Sequence, residues 1–243
     1  TERRLWERGV HTWDAFDPGL DVPGVGTTTA DRIESFIATA RGHLDDGNAA
    51  YFDRHFPSGE RWRLYEDFRD HTCFFDIETT GLDERRDRVT TVSFYRAGET
   101  TTLVAGDDLT ADRIAAQFRE ADLLASFNGA RFDVPFLEAS FDVDVDTPHL
   151  DLLYPCRRAG LSGGLKSIEQ TLGIDRDRRD LSGRDAVRLW HEYERGDRDA
   201  LETLVSYNRA DTENLQALAD AVCETLHRDV FAPAIDDPVP TKE

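Results

Sequence analysis

The sequence predicts an α/β protein, a three-layer domain with a central mixed sheet between helices, preceded by a small helical N-terminal module. Three observations predict it. Strand-like apolar runs alternate with amphipathic helical ones from residue 71 to about 230. Two of the strand patterns, 89–96 and 100–105, flank Ala97 and Gly98 as a hairpin, which puts an antiparallel pair into an otherwise helix-connected sheet. Residues 1–70 carry helical and loop patterns instead.

Taken in order, residues 1–48 form the helical module. "VPGVGTTTADRIESFIATA" (22–40) sets a Gly-Val-Gly turn before an amphipathic helix with Ala30, Ile33 and Ile37 on one stripe. This resembles the second half of a helix-hairpin-helix, in which backbone N–H groups at Gly24 and Gly26 would meet a phosphate of the nucleic-acid backbone. "TERRLWERGVHTWDAF" reads as the tail of another such unit. A helical packing module that touches no nucleic acid stays open. Residues 49–70 are a helical connector. Residues 71–230 then hold a strand at 71–78, the hairpin, a helix at 110–120, a short buried strand at 122–127, a helix at 132–139 and a strand edge at 149–153. Helices follow at 165–172, 186–194 and 200–226. The proline-rich end, 231–243, is expected to be a flexible tail. No internal repeat or low-complexity segment is visible.

Composition limits the function classes. No run reaches the length of a membrane span, and the start does not read as a secretory signal. The chain opens at Thr1 and contains no Met, so an initiating segment is expected to precede this numbering. Cys73, Cys156 and Cys223 are far apart and read as reduced, mostly buried thiols of a cytoplasmic protein. Acids outnumber bases 49 to 29, for a net charge of −20, and Lys166 and Lys242 are the only lysines. The acids are spread along the chain, which fits a halophilic surface screened by molar salt, where the Debye length is about 3 Å. The net charge therefore does not exclude a nucleic-acid substrate.

Within this acidic background one stretch stands out, "CFFDIETTGL" (73–82). Asp76 and Glu78 end an apolar strand and share a face of it. The tripeptide Asp-x-Glu is not evidence alone, since it recurs at Asp211 and Glu213. Context adds weight. In "SFNGARFDVPFL" (126–137) Asn128-Gly129 ends a strand, and Asp133 begins a helix among Phe132, Val134 and Phe136. In "LVSYNRADTENL" (204–215) Tyr207 and Asp211 share one helical face. Four carboxylates on separate elements, each introduced by apolar residues, read as one site for two divalent cations. Hard oxygen ligands suit Mg²⁺ or Mn²⁺. Such ions, about 3.5–4 Å apart, clamp the attacking and leaving oxygens of a phosphodiester displacement. A tyrosine hydroxyl beside them would orient the attacking water or help to deprotonate it.

The order Asp-x-Glu, Asn-x₃-Phe-Asp, Tyr-x₃-Asp resembles the DEDD superfamily of 3′→5′ exonucleases, in its tyrosine subclass. Together with "GGLKSIEQTLGI", the phrases resemble the YprB-type ribonuclease-H-like domain, over about residues 50–225. The resemblance implies a ribonuclease-H-like fold and two-metal hydrolysis of single-stranded DNA or RNA 3′ ends to nucleoside 5′-monophosphates. It implies that Asp76, Glu78, Asp133 and Asp211 are the metal ligands and that Tyr207 positions the water. It implies further that Thr79 holds the terminal 3′-hydroxyl by its backbone, that Leu82 wedges a base, and that Asn128 contacts substrate. The three-residue gap between Asn128 and Phe132 is the longer of the spacings that the family tolerates.

Lys166, after Gly163-Gly164 at a helix start, reads either as a phosphate contact or as a surface salt bridge. Asp151 is a candidate support for the site, His149 and His191 read as structural histidines, and the run 176–179 ("RDRR") as a solvated loop. Two other functions remain open: RNA trimming or an RNase-H-like internal cut, and a catalytically silent nucleic-acid-binding module. Protein partners are not legible.

Overall fold

The computed structural model describes residues 1–176 and 181–235. Helices α1 (Glu2–Trp6), α2 (Thr27–Asp45), α3 (Ala49–His55) and α4 (Leu64–Phe68) come first. Strands β1 (Thr72–Thr79), β2 (Val89–Arg96) and β3 (Glu99–Val104) follow, then helix α5 (Ala111–Arg119) and β4 (Leu123–Ser126). Helix α6 (Asp133–Phe141), strand β5 (His149–Asp151) and helices α7 (Leu153–Arg158), α8 (Leu165–Leu172), α9 (Gly183–Glu194) and α10 (Arg198–Ile235) complete the chain.

Among the described residues the five strands form one sheet in the order β3-β2-β1-β4-β5. The β1–β2 and β2–β3 pairs are antiparallel, whereas β1–β4 and β4–β5 are parallel. The sheet is therefore mixed, with β1 at its centre. Ala97, at φ 51°, and Gly98, at φ 84°, turn the β2–β3 hairpin in the left-handed conformation that favours glycine.

Alternation along β1 sorts its side chains onto two layers. Phe75 and Ile77 pack with Val92, Phe94, Ile114, Phe118 and Phe136 on the α5–α6 side. Phe74 faces the other way, into a core with Tyr65, Leu215, Leu218 and Leu226. Asp76 and Glu78 share the parity of Phe74, so they point toward α10, not into the α5–α6 core. Pairing shifts between Glu78 and Thr79, where the strand ends in an irregularity.

Ala40, Ala49, Phe52, Trp62 and Phe68 belong to the same core as Phe74, so packing is continuous from α2 through the connector into the sheet. The first sixteen residues form the five-residue α1 and a single 3₁₀ turn at Trp13–Ala15. Trp6 then packs edge-on against Phe231 at 5.1 Å between ring centroids. One departure from expectation lies next to that contact. Helix α10 continues through Pro233 to Ile235, well into the stretch expected as a loose tail from residue 231. Residues 236–243 of that stretch lie outside the described residues. No helix among the described residues is long and apolar enough to cross a membrane. The three cysteines are buried and unpaired.

Candidate active site

The end of β1 brings Asp76 and Glu78 against Asp211 of α10, and one carboxylate oxygen from each lies within 4.8 Å of the others. Glu78 is 9% exposed and Asp211 7%. Asp133, the first residue of α6, lies against the same strand, and its Oδ1 accepts the Ile77 N–H at 3.2 Å. The loop before α6 is tightly held. Asn128 adopts a left-handed φ of 63°, and a side chain at Gly129 would collide with the Ser126 hydroxyl. Buried Asp151 accepts three backbone N–H groups in this region, from Asn128 (2.7 Å), Ala130 (3.2 Å) and Leu153 (3.1 Å).

Burial and mutual repulsion set the protonation of the cluster. Burial pushes Asp76 well above the usual carboxylate range, and the charges of Asp133, Asp211 and Glu78 push it further. Glu78 is raised for the same reasons, opposed by Lys166 and Arg176. Burial lifts Asp133 to about 7 against the hydrogen bond from Ile77. Asp211 is raised too, burial outweighing the pull of Arg176, Tyr207 and Lys166. The Tyr207 phenol is driven far up by burial and by the charges of Asp211, Glu78 and Asp76. It therefore keeps its proton beside Asp211. Carboxylates forced together with few donors are ionised at little cost only when cations are present, so this all-oxygen donor set fits hard divalent ions.

Several neighbours were not foreseen. Asn208 is fully buried, donates to Asp76 Oδ2 at 2.7 Å and accepts from the Thr91 hydroxyl at 2.9 Å. Thr91 is the cross-strand partner of Glu78. Asn208 therefore fixes the Asp76 carboxylate from the helix that carries Asp211. Its only sequence signal is its place three residues before Asp211.

The run at 176–179 is the second departure. Arg176 is not solvated: it is 8% exposed and bonds both Glu169 and Asp211. The rest of that run lies outside the described residues.

Lys166 sits in α8 with its Nζ buried, without a hydrogen-bond partner among the described residues and 4.8 Å above the Tyr207 ring. Among the described residues it forms no surface salt bridge. A cavity of about 240 Å³ beside it is lined by Lys166, Glu169, Gln170, Ile174 and Arg176. Thr79 is buried, and its hydroxyl donates to the Gly81 carbonyl at 2.5 Å. Leu82 projects at 85% exposure from a turn in which the Asp87 carboxylate fills the space a side chain at Gly81 would need. Asn128 stands in the loop beside Asp133. Gly24 and Gly26 are apart from these contacts: Gly24 lies under the Arg4 guanidinium, and Gly26 caps the start of α2. His149 bonds the buried Ser126 hydroxyl at 2.8 Å and is driven down to about 4 by burial, which marks it as a neutral, structural histidine. His191 pairs with Glu194 on the surface of α9.

A mixed sheet with a carboxylate cluster at the end of its central strand defines an RNase H-like nuclease fold. In agreement, the family model of the RNase_H superfamily matches residues 73–223. The chain belongs to that superfamily, whose nucleases use divalent metals. No curated protein matches the chain. Among solved structures, the apo form of a nuclease is 22% identical, with a TM-score of 0.51 over 73% of this chain and 81% of that one. That likeness shows the fold. NrnC of Brucella melitensis bound to pGG is 20% identical, with a TM-score of 0.49 over 71% and 81%. The family B DNA polymerase of Pyrobaculum calidifontis is 17% identical, with a TM-score of 0.48 over 60% of this chain and 24% of that polymerase.

Proposed function

We propose that the chain is a 3′→5′ exonuclease of the tyrosine subclass, related to the YprB type, that hydrolyses single-stranded DNA or RNA ends to nucleoside 5′-monophosphates. The observation that carries this reading is the convergence of Asp76, Glu78 and Asp211 within 4.8 Å, with Asp133 bonded to the same strand. Two Mg²⁺ or Mn²⁺ ions held by these four carboxylates would stabilise charge on the attacking and leaving oxygens of the scissile phosphodiester.

The chain's own residues do the rest. Tyr207, protonated and placed beside Asp211, orients a water for in-line attack rather than taking its proton. Asn208 keeps Asp76 in one rotamer. The ammonium of Lys166, without a hydrogen-bond partner among the described residues, meets a phosphate oxygen of the substrate. The backbone around Thr79 holds the terminal 3′-hydroxyl, Leu82 wedges against the last base, and Asn128 contacts the strand beside Asp133. Residues 1–48, with the N–H groups at Gly24 and Gly26, grip the backbone without reading sequence. The net charge of −20 supports a salt-rich cytoplasm as the working environment.

The test is degradation of 5′-labelled single-stranded DNA and RNA in high salt with Mn²⁺. A ladder shortening from the 3′ end supports the reading. A cut in a circular strand would instead make the protein an endonuclease. Intact substrates under every metal and salt condition would leave a silent binding module.

A further inference from the structure

The buried ion network behind Asp211 is larger than the proposed chemistry requires. Arg176 binds Glu169 in a fork, Nε to Oε2 at 2.8 Å and Nη2 to Oε1 at 2.9 Å, and gives its Nη1 to Asp211 Oδ1. Glu169 is 2% exposed. Asn214, one turn beyond Asp211 on α10, donates to Glu169 at 3.1 Å and to the Asp175 carbonyl at 3.0 Å. The chain reaches this position because Gly173, at φ 71°, ends α8 in a left-handed turn and sends Arg176 back over Glu169.

A buried ion pair is weak evidence for stability, since desolvation consumes most of its attraction. Its geometry beside a cation site points to another role. A lone guanidinium on Asp211 would repel incoming divalent ions. Glu169 cancels that charge, so the pair is neutral and takes nothing from the negative charge the cluster can present to cations. What remains is direction: Asp211 Oδ1 is pinned, and the carboxylate is held in one orientation toward Asp76 and Glu78.

Resting on the metal-dependent reading above, we propose that Arg176 and Glu169 form an electrically neutral clamp that positions Asp211 for divalent cations. Arg176 and Glu169 are thus positioning residues.

Two variants of the full chain separate charge from geometry. Glu169→Gln keeps the shape, gives up one of the two oxygens that accept from Arg176, and leaves a net positive charge beside the site. The double variant E169Q/R176Q restores neutrality and removes the clamp. Mn²⁺ affinity is read without substrate, by thermal stabilisation and by calorimetric titration. Glu169→Gln should need on the order of tenfold more Mn²⁺ than the unsubstituted chain. The double variant should return to within about threefold in affinity, while its turnover at saturating Mn²⁺ falls on the order of tenfold. A merely structural network would make the double variant the worse of the two in affinity, and that result overturns the proposal. Unchanged affinity in Glu169→Gln overturns it as well, with the metal-dependent reading intact. If the unsubstituted chain itself does not bind Mn²⁺, both fall.

Discussion

Two buried acidic sites lie one loop apart, and they are built in opposite ways. Asp151, 6% exposed at the end of β5, receives three backbone N–H groups from the turns around it. Its charge is met wholly by the fold. Asp76, Glu78 and Asp211 are half-buried to buried, yet Asn208, Tyr207 and Arg176 meet only part of their charge, and all three are raised in pKa. A carboxylate satisfied by amides serves the architecture. Carboxylates pressed together without enough donors hold a site in readiness for cations.

Substitution should split the two sites. Asp76→Asn is expected to lower nuclease turnover by at least about a thousandfold, some 4 kcal/mol of barrier, while raising the melting temperature of the metal-free protein. Asp151→Ala should do the reverse. It leaves three backbone N–H groups without their acceptor, one buried and two partly buried, at about 3 kcal/mol, and lowers the melting temperature by roughly 6–12 °C. Thermal melts with and without Mn²⁺ read both. If Asp151→Ala lost its response to Mn²⁺ as fully as Asp76→Asn, the distinction would collapse.

Acidity sharpens the comparison further. Between the ordinary value of 3.8 and about 7, native Asp133 binds more protons than the unfolded chain does. Metal-free stability is therefore expected to fall as pH rises through that window. The raised carboxylates beside it add to the same slope. With Mn²⁺ bound the slope should reverse, because cations require the ionised forms. Urea melts from pH 4 to 8 test this, and a flat metal-free profile would contradict the picture of an uncompensated cluster.

Leu82→Ala should give the smallest effect. At 85% exposure the side chain supports no core, so stability should change by less than about 0.5 kcal/mol. The Michaelis constant for a single-stranded end should rise about three- to tenfold if this leucine wedges the terminal base, as steady-state kinetics would reveal.

Much of this was legible in the sequence because it is local. The apolar run of β1 and its period of two put Asp76 and Glu78 on one face, and the 3.6-residue period put Tyr207 with Asp211. What escaped depends on contacts between distant segments. Arg176 sits among acids in an acid-rich chain and looks solvated. Its burial follows from the turn at Gly173 and from Asn214 on another helix. Asn208 carries no hydrophobic signal; its role exists only because β1 and β2 present Asp76 and Thr91 to it. Pro233 read as a stop, yet α10 runs past it after Phe231 packs on Trp6, more than two hundred residues earlier.

The central claim is that the end of β1 is a two-cation site. Crystals soaked in Mn²⁺ and measured at the manganese edge test it most directly. Two anomalous peaks about 3.5–4 Å apart among Asp76, Glu78, Asp133 and Asp211 are the predicted result. A map with no peak among these carboxylates would contradict it.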